Sequence, residues 1–190
     1  MNMRVSAAIS LAILMTATTG LPQTSGEKES FTANAIVNNN LGAGAGTVLI
    51  DVTRWSTEAE RMKLVNALRE KGPEALLEQL RDQRPTGTIR TPDSLAYDLR
   101  FAHQMPGEDG GRRIVLATDR PIGFWEANAR PRTLDYPFTV IQMQFGADGK
   151  GKGTLSYATK IVARGKIIEL ENFASAPIML TEIQSRKHSN

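Results

Sequence analysis

Helical periodicity is confined to residues 57–83 of this 190-residue chain, and that confinement limits the fold more than any other feature of the sequence. Thr57 and Glu60 carry the spacing of a capping box. Met62, Leu64, Val65 and Leu68 then make an apolar stripe, opposed by Arg61, Lys63, Arg69 and Glu70. Gly72 ends the first helix and Pro73 suits the first turn of a second, where Leu76, Leu77 and Leu80 form the stripe. The pattern predicts one helical hairpin.

Nearly everything else reads as strands and turns. Residues 31–37 predict a first strand and 47–55 a second, with Val48, Ile50 and Val52 on one face. The Asn- and Gly-rich residues 38–46 predict a flexible connection between them. They lack the Gly-Lys-Ser/Thr ending of a phosphate loop and lead into a strand rather than a helix. After the helices, strands are expected at 87–90, 95–105, 113–118, 138–145, 153–163, 166–171 and 178–183, before a polar tail at 186–190. In 95–105, Tyr97, Leu99, Phe101, His103 and Met105 are expected on one face; in 153–163, Leu155, Tyr157, Thr159 and Ile161. Short turns imply antiparallel neighbours, because parallel ones need crossover helices. One helical hairpin cannot cover both faces of so large a sheet. The expected fold is therefore α+β: a mainly antiparallel curved sheet or partial β-barrel of about eight strands, with the helical hairpin inserted after the second.

The N-terminus carries a different signal. Arg4 precedes an uncharged, largely apolar run at 5–16, and small residues follow at Ala17, Thr18, Thr19 and Gly20. This is the layout of a secretory signal peptide within residues 1–26, cleaved after Gly20 or after Gly26. The run is too short to span a bilayer comfortably. The expected product is an exported protein, periplasmic or extracellular, with one globular domain at 27–185 and no membrane span.

The chain has no Cys, which excludes disulfides, a thiolate nucleophile and Cys-ligated metal. An exported domain of this kind must rest on its core. The net charge of +3 is spread over small basic groups such as Arg112-Arg113 and Arg186-Lys187. They lack the interleaved aromatics of a nucleic-acid surface, so no nucleic-acid partner is expected.

Candidate chemistry is sparse. His103 is the one histidine outside the tail, HExxH and G-x-S-x-G are absent, and no metal site or cofactor is expected. His103 lies on the apolar face of its strand, which favours a partly buried structural role over a catalytic base. Asp51, Asp98, Asp119, Glu126 and Asp135 are the candidates for a carboxylate pair in a hydrolase, although pairing with arginine is the simpler expectation for Asp51. Residues 118–138 stand apart, gathering Phe124, Trp125, Tyr136 and Phe138 with three prolines, arginines and acids. A long loop of this composition either folds over one end of the barrel or carries a binding site. The candidate binding residues are Arg120, Phe124, Trp125, Glu126, Asp135 and Tyr136.

The strings RWSTEAER, KGPEALL, GTIRTPDSLAYDLRF, RIVLATDRPIGFWEA, DYPFTVIQM and SYATKI resemble a group of exported bacterial proteins of unknown function, over residues 31–171. The resemblance implies an exported single domain and no particular activity. The function expected is non-enzymatic binding of a small ligand or an envelope protein near the Trp125 loop. The alternative is a hydrolase using a carboxylate pair or His103.

Overall fold

Thr57 caps helix α1 (Glu58–Lys71) as its spacing predicts: its hydroxyl accepts from the Glu60 N–H at 3.2 Å, and the Glu60 carboxylate accepts from the Thr57 N–H at 2.7 Å. Gly72 follows in a left-handed conformation, φ 89°, which a side chain rarely tolerates; its N–H donates to Leu68 O at 3.0 Å. Pro73 then opens α2 (Pro73–Arg81). Leu64, Leu68, Leu76 and Leu80 are buried as expected, whereas Met62 is exposed.

The computed structural model describes residues 9–11, 27–39, 42–107, 110–122, 135–165, 167–172 and 176–188. Its strands are β1 (Ile9–Leu11), β2 (Lys28–Asn39), β3 (Gly42–Val52), β4 (Gly87–Arg90), β5 (Tyr97–Leu99), β6 (Phe101–Pro106), β7 (Arg112–Thr118), β8 (Phe138–Phe145), β9 (Gly151–Arg164), β10 (Ile167–Asn172) and β11 (Ile178–His188). All pairings are antiparallel, in the order β5-β4-β3-β2-β11-β9-β8-β7-β6. β10 pairs β9 off this path, and β1, inside the residues expected to be a leader, pairs β10.

Arg100 alone separates β5 from β6, the two ends of that path. Leu99 O accepts from the Thr86 N–H at 2.7 Å, and the Arg100 N–H donates to Ala117 O at 2.9 Å, so one kinked segment bonds to both ends of the sheet. The sheet is a nearly closed antiparallel barrel with the helical hairpin after the first long pair of strands. The fold class expected from the sequence holds. The segments number eleven against the nine spans expected one by one, because Arg100 splits 95–105 in two and β1 falls within the expected leader.

Several boundaries differ from expectation. The flexible connection expected at 38–46 is mostly strand: Gly42 to Gly46 lie in β3, paired with Asn39 through Ala35. The small residues there present little bulk on either face, so backbone pairing extends through a stretch whose composition suggests a loop. β11 runs on through Arg186, Lys187 and His188, pairing with the start of β2.

The expected face assignments fail at two irregularities. Leu99 and Ala102 both enter the barrel core, three positions apart, so Arg100 inserts an extra residue. Tyr97 and Leu99 therefore face inward while Phe101, His103 and Met105 face outward, toward the helices. In β9, Phe138 opposes Thr159 but Val140 opposes Ser156: two steps on one strand match three on the other. Leu155 and Tyr157 belong to the barrel core, and Ile161 to the outer cluster.

Two apolar cores result. Inside the barrel, Phe31, Ile50, Ile89, Leu99, Ile114, Leu116, Ile141, Met143, Leu155 and Leu180 are each under 2% exposed. Gly151 makes room here, since a Cβ on it would lie 2.6 Å from the Phe145 ring. At one end Glu29, 2% exposed, is gripped by both terminal nitrogens of Arg112 and by the Ser185 hydroxyl at 2.7 Å. Arg112 in turn lies 4.8 Å from the Phe145 ring centroid. Burial raises the Glu29 pKa, but the Arg112 and Ser185 hydrogen bonds outweigh it and hold the carboxyl below its usual value. The second core lies outside the barrel, where Leu64, Leu68, Leu76 and Leu80 meet Ala117, Phe138, Val140 and Leu170.

Candidate functional site

The second core is incompletely filled. Between the helical hairpin and the outer face of β6 to β10 lies a cleft of about 140 Å³. The helices contribute Leu64, Val65, Leu68, Leu76 and Leu80 to its walls. β6 contributes Phe101, His103 and Met105, and the remaining strands contribute Val115, Ala117, Val140, Ile161, Ile168 and Leu170. An apolar cavity of about 150 Å³ stays dry and accepts a benzene-sized molecule. The convex outer face of a barrel explains the space: a straight helix pair touches it along a stripe and leaves a gap at the flank.

Arg61 and His103 are the polar exceptions in this lining. Arg61 donates through Nε to Glu58 Oε2 at 2.8 Å and through Nη2 to Glu58 Oε1 at 2.5 Å, a two-pronged pair one helical turn long. The Arg61 hydrogen bonds hold the Glu58 carboxyl below its usual range, against a smaller opposing effect of burial. His103 is half-buried, its ring stacked on Phe101 with centroids 6.0 Å apart. Burial first, and the Arg61 charge second, push its pKa below the ordinary value, with Glu58 opposing. The shift favours the neutral imidazole, a ring with one donor and one acceptor nitrogen.

The carboxylates singled out from the sequence are dispersed. Asp119 is buried with Arg120 at 3.4 Å and Arg100 and Arg81 each at 3.9 Å, tying α2 to the barrel. Arg100 also lies 3.6 Å from Asp98. Asp51 accepts from the Ser30 hydroxyl at 2.6 Å, and Ser30 Oγ is 2.6 Å from His188 Nε2. In a nucleophilic triad the histidine stands between serine and aspartate; here the serine stands between the other two, on a strand paired on both sides. Asp135 is exposed and Tyr136 packs against the barrel core. Phe124, Trp125 and Glu126 lie outside the described residues. None of the candidate binding residues among the described ones, Arg120, Asp135 and Tyr136, lines the cleft.

Among the described residues no Asp, Glu or Ser lines the cleft, and no group of three His, Asp or Glu side chains is placed to hold a metal ion. No helix among them is long and apolar enough to cross a membrane. Of the cleft residues, sequence reasoning singled out His103, on one face with Tyr97 and Leu99, from which the irregularity at Arg100 separates it. Arg61 was assigned to the polar face of α1, and nothing in its spacing marks it as a cleft residue. No family model, curated protein or solved structure matches the chain.

Proposed function

We propose that this is an exported, non-enzymatic binding protein that holds a small apolar or amphipathic molecule between its helical hairpin and the outer wall of its barrel. The observation that carries the proposal is the apolar cleft of about 140 Å³, walled by aliphatic side chains from seven elements of the fold. An apolar space of this size has little hold on water and accepts an apolar guest readily. A hydrolytic reading lacks comparable support, because no carboxylate lines the cleft beside His103 among the described residues.

The test is a titration of the protein with toluene, followed through methyl NMR signals. Shifts concentrated at Leu68, Val140 and Ile168, absent at Ile50 and Leu155 in the barrel interior, are the expected result. Unchanged signals at the cleft methyls up to the solubility of toluene would overturn the proposal. Export rests on the leader pattern alone, and the N-terminal sequence of the protein recovered from host fractions checks it: a start at Leu21 or Glu27 is expected.

A further inference from the structure

The two polar residues of the lining narrow the class of guest, an inference that rests on the cleft being a ligand site. We propose that it takes an uncharged molecule of single-ring size, an apolar body bearing one hydroxyl or carbonyl group that meets Arg61 and His103 of the lining.

Size sets the first limit. A space of about 140 Å³ matches one benzene-like body and is well below the several hundred Å³ of sites for drug-sized ligands. Charge sets the second. Among the described residues of the lining Arg61 alone brings a full charge, and its Nε and Nη2 are already balanced by the Glu58 carboxylate at 2.8 and 2.5 Å. A guest carboxylate reaching Arg61 would meet Glu58 as well, and like charges at such range in a poorly hydrated setting repel strongly. A guest ammonium would face the guanidinium directly. Neither ion recovers the solvation it loses among Leu68, Val140 and Ile168.

A hydroxyl avoids both penalties. It is a donor and an acceptor at once, as is a neutral imidazole, and the two Nη1 N–H groups of Arg61 lie outside the fork made with Glu58. The Phe101–His103 stack supplies a flat piece of the lining, suited to an aromatic ring.

The test compares benzyl alcohol, benzoate, benzylamine and toluene, four probes sharing one ring, by the same methyl NMR titration at neutral pH. Benzyl alcohol is expected to bind about tenfold or more tightly than benzoate or benzylammonium, and more tightly than toluene. In Glu58→Gln, which keeps an acceptor for Arg61 but removes its charge, benzoate should gain about tenfold while benzyl alcohol stays within about twofold. His103→Leu should reduce benzyl alcohol to the affinity of toluene and leave toluene itself unchanged. Benzoate binding as tightly as benzyl alcohol to the unaltered protein, or toluene binding more tightly than both, would overturn the inference and leave an apolar site standing. Failure of all four probes to move the cleft methyls would overturn the binding proposal itself.

Discussion

The barrel interior and the interface beneath the helices are built from the same aliphatic side chains, yet they are packed differently. Inside, side chains from β2 to β9 and from β11 converge, and the largest are under 2% exposed. Outside, Leu64, Leu68, Leu76 and Leu80 meet a convex wall and leave a cleft of about 140 Å³. Concave surroundings force side chains together, whereas a convex surface under straight helices lets them part. Under the proposed function, binding falls to the unfilled region and stability to the filled core.

Truncation inside the barrel tests the first half of this comparison with the largest effect. Leu116→Ala removes a fully buried side chain between Ala102 and Ile141 and is expected to cost about 2–5 kcal/mol in urea denaturation. A loss below about 1 kcal/mol would show that the interior is not close-packed.

The Glu29–Arg112 pair at the barrel end comes next. Glu29→Gln leaves a partly covered guanidinium without its counter-charge and is expected to cost about 2 kcal/mol at pH 7. The folded pKa of Glu29 lies below its unfolded value near 4.5, so the carboxylate's contribution is fully present above that value. It is lost as pH falls through the lower folded pKa. Denaturation at pH 7 and at pH 3 should therefore show a smaller acid loss in Glu29→Gln than in the parent, and equal losses would refute the assignment.

The sharpest comparison uses two alanines on one hairpin. Ala102 points into the barrel at 0% exposure, and Ala117 points into the cleft at 6%. Ala102→Leu is expected to cost about 1–3 kcal/mol by overpacking. Ala117→Leu has space to fill, so its effect should stay within about 1 kcal/mol of zero while toluene binding disappears. Equal destabilisation by the two substitutions would mean that the two regions are packed alike.

The helical hairpin was legible at the level of single residues, because Thr57, Glu60, Gly72 and Pro73 act through bonds to near neighbours in the chain. The antiparallel barrel was legible as a class, from short turns and one covering hairpin. The candidate site was not. The aromatic loop drew attention by composition, and of its residues Arg120 is paired with Asp119 and Tyr136 packs on the core, away from the cleft. The strand 95–105 was read as one face because alternation carries no record of where a bulge falls, and the extra residue at Arg100 sends Phe101, His103 and Met105 to the outer wall.

The sequence by itself determined the elements: which residues form helices, which alternate as strands, and that one helical pair must lie on a curved antiparallel sheet. These follow from local propensity and periodicity, which act within a few residues. Only the tertiary structure decided which face of β6 and β9 looks inward, that Arg100 joins the two ends of the sheet, and that Arg61 and His103 line one apolar cleft. Those depend on barrel closure and on the fit of straight helices over a convex surface, and no short window of residues encodes either.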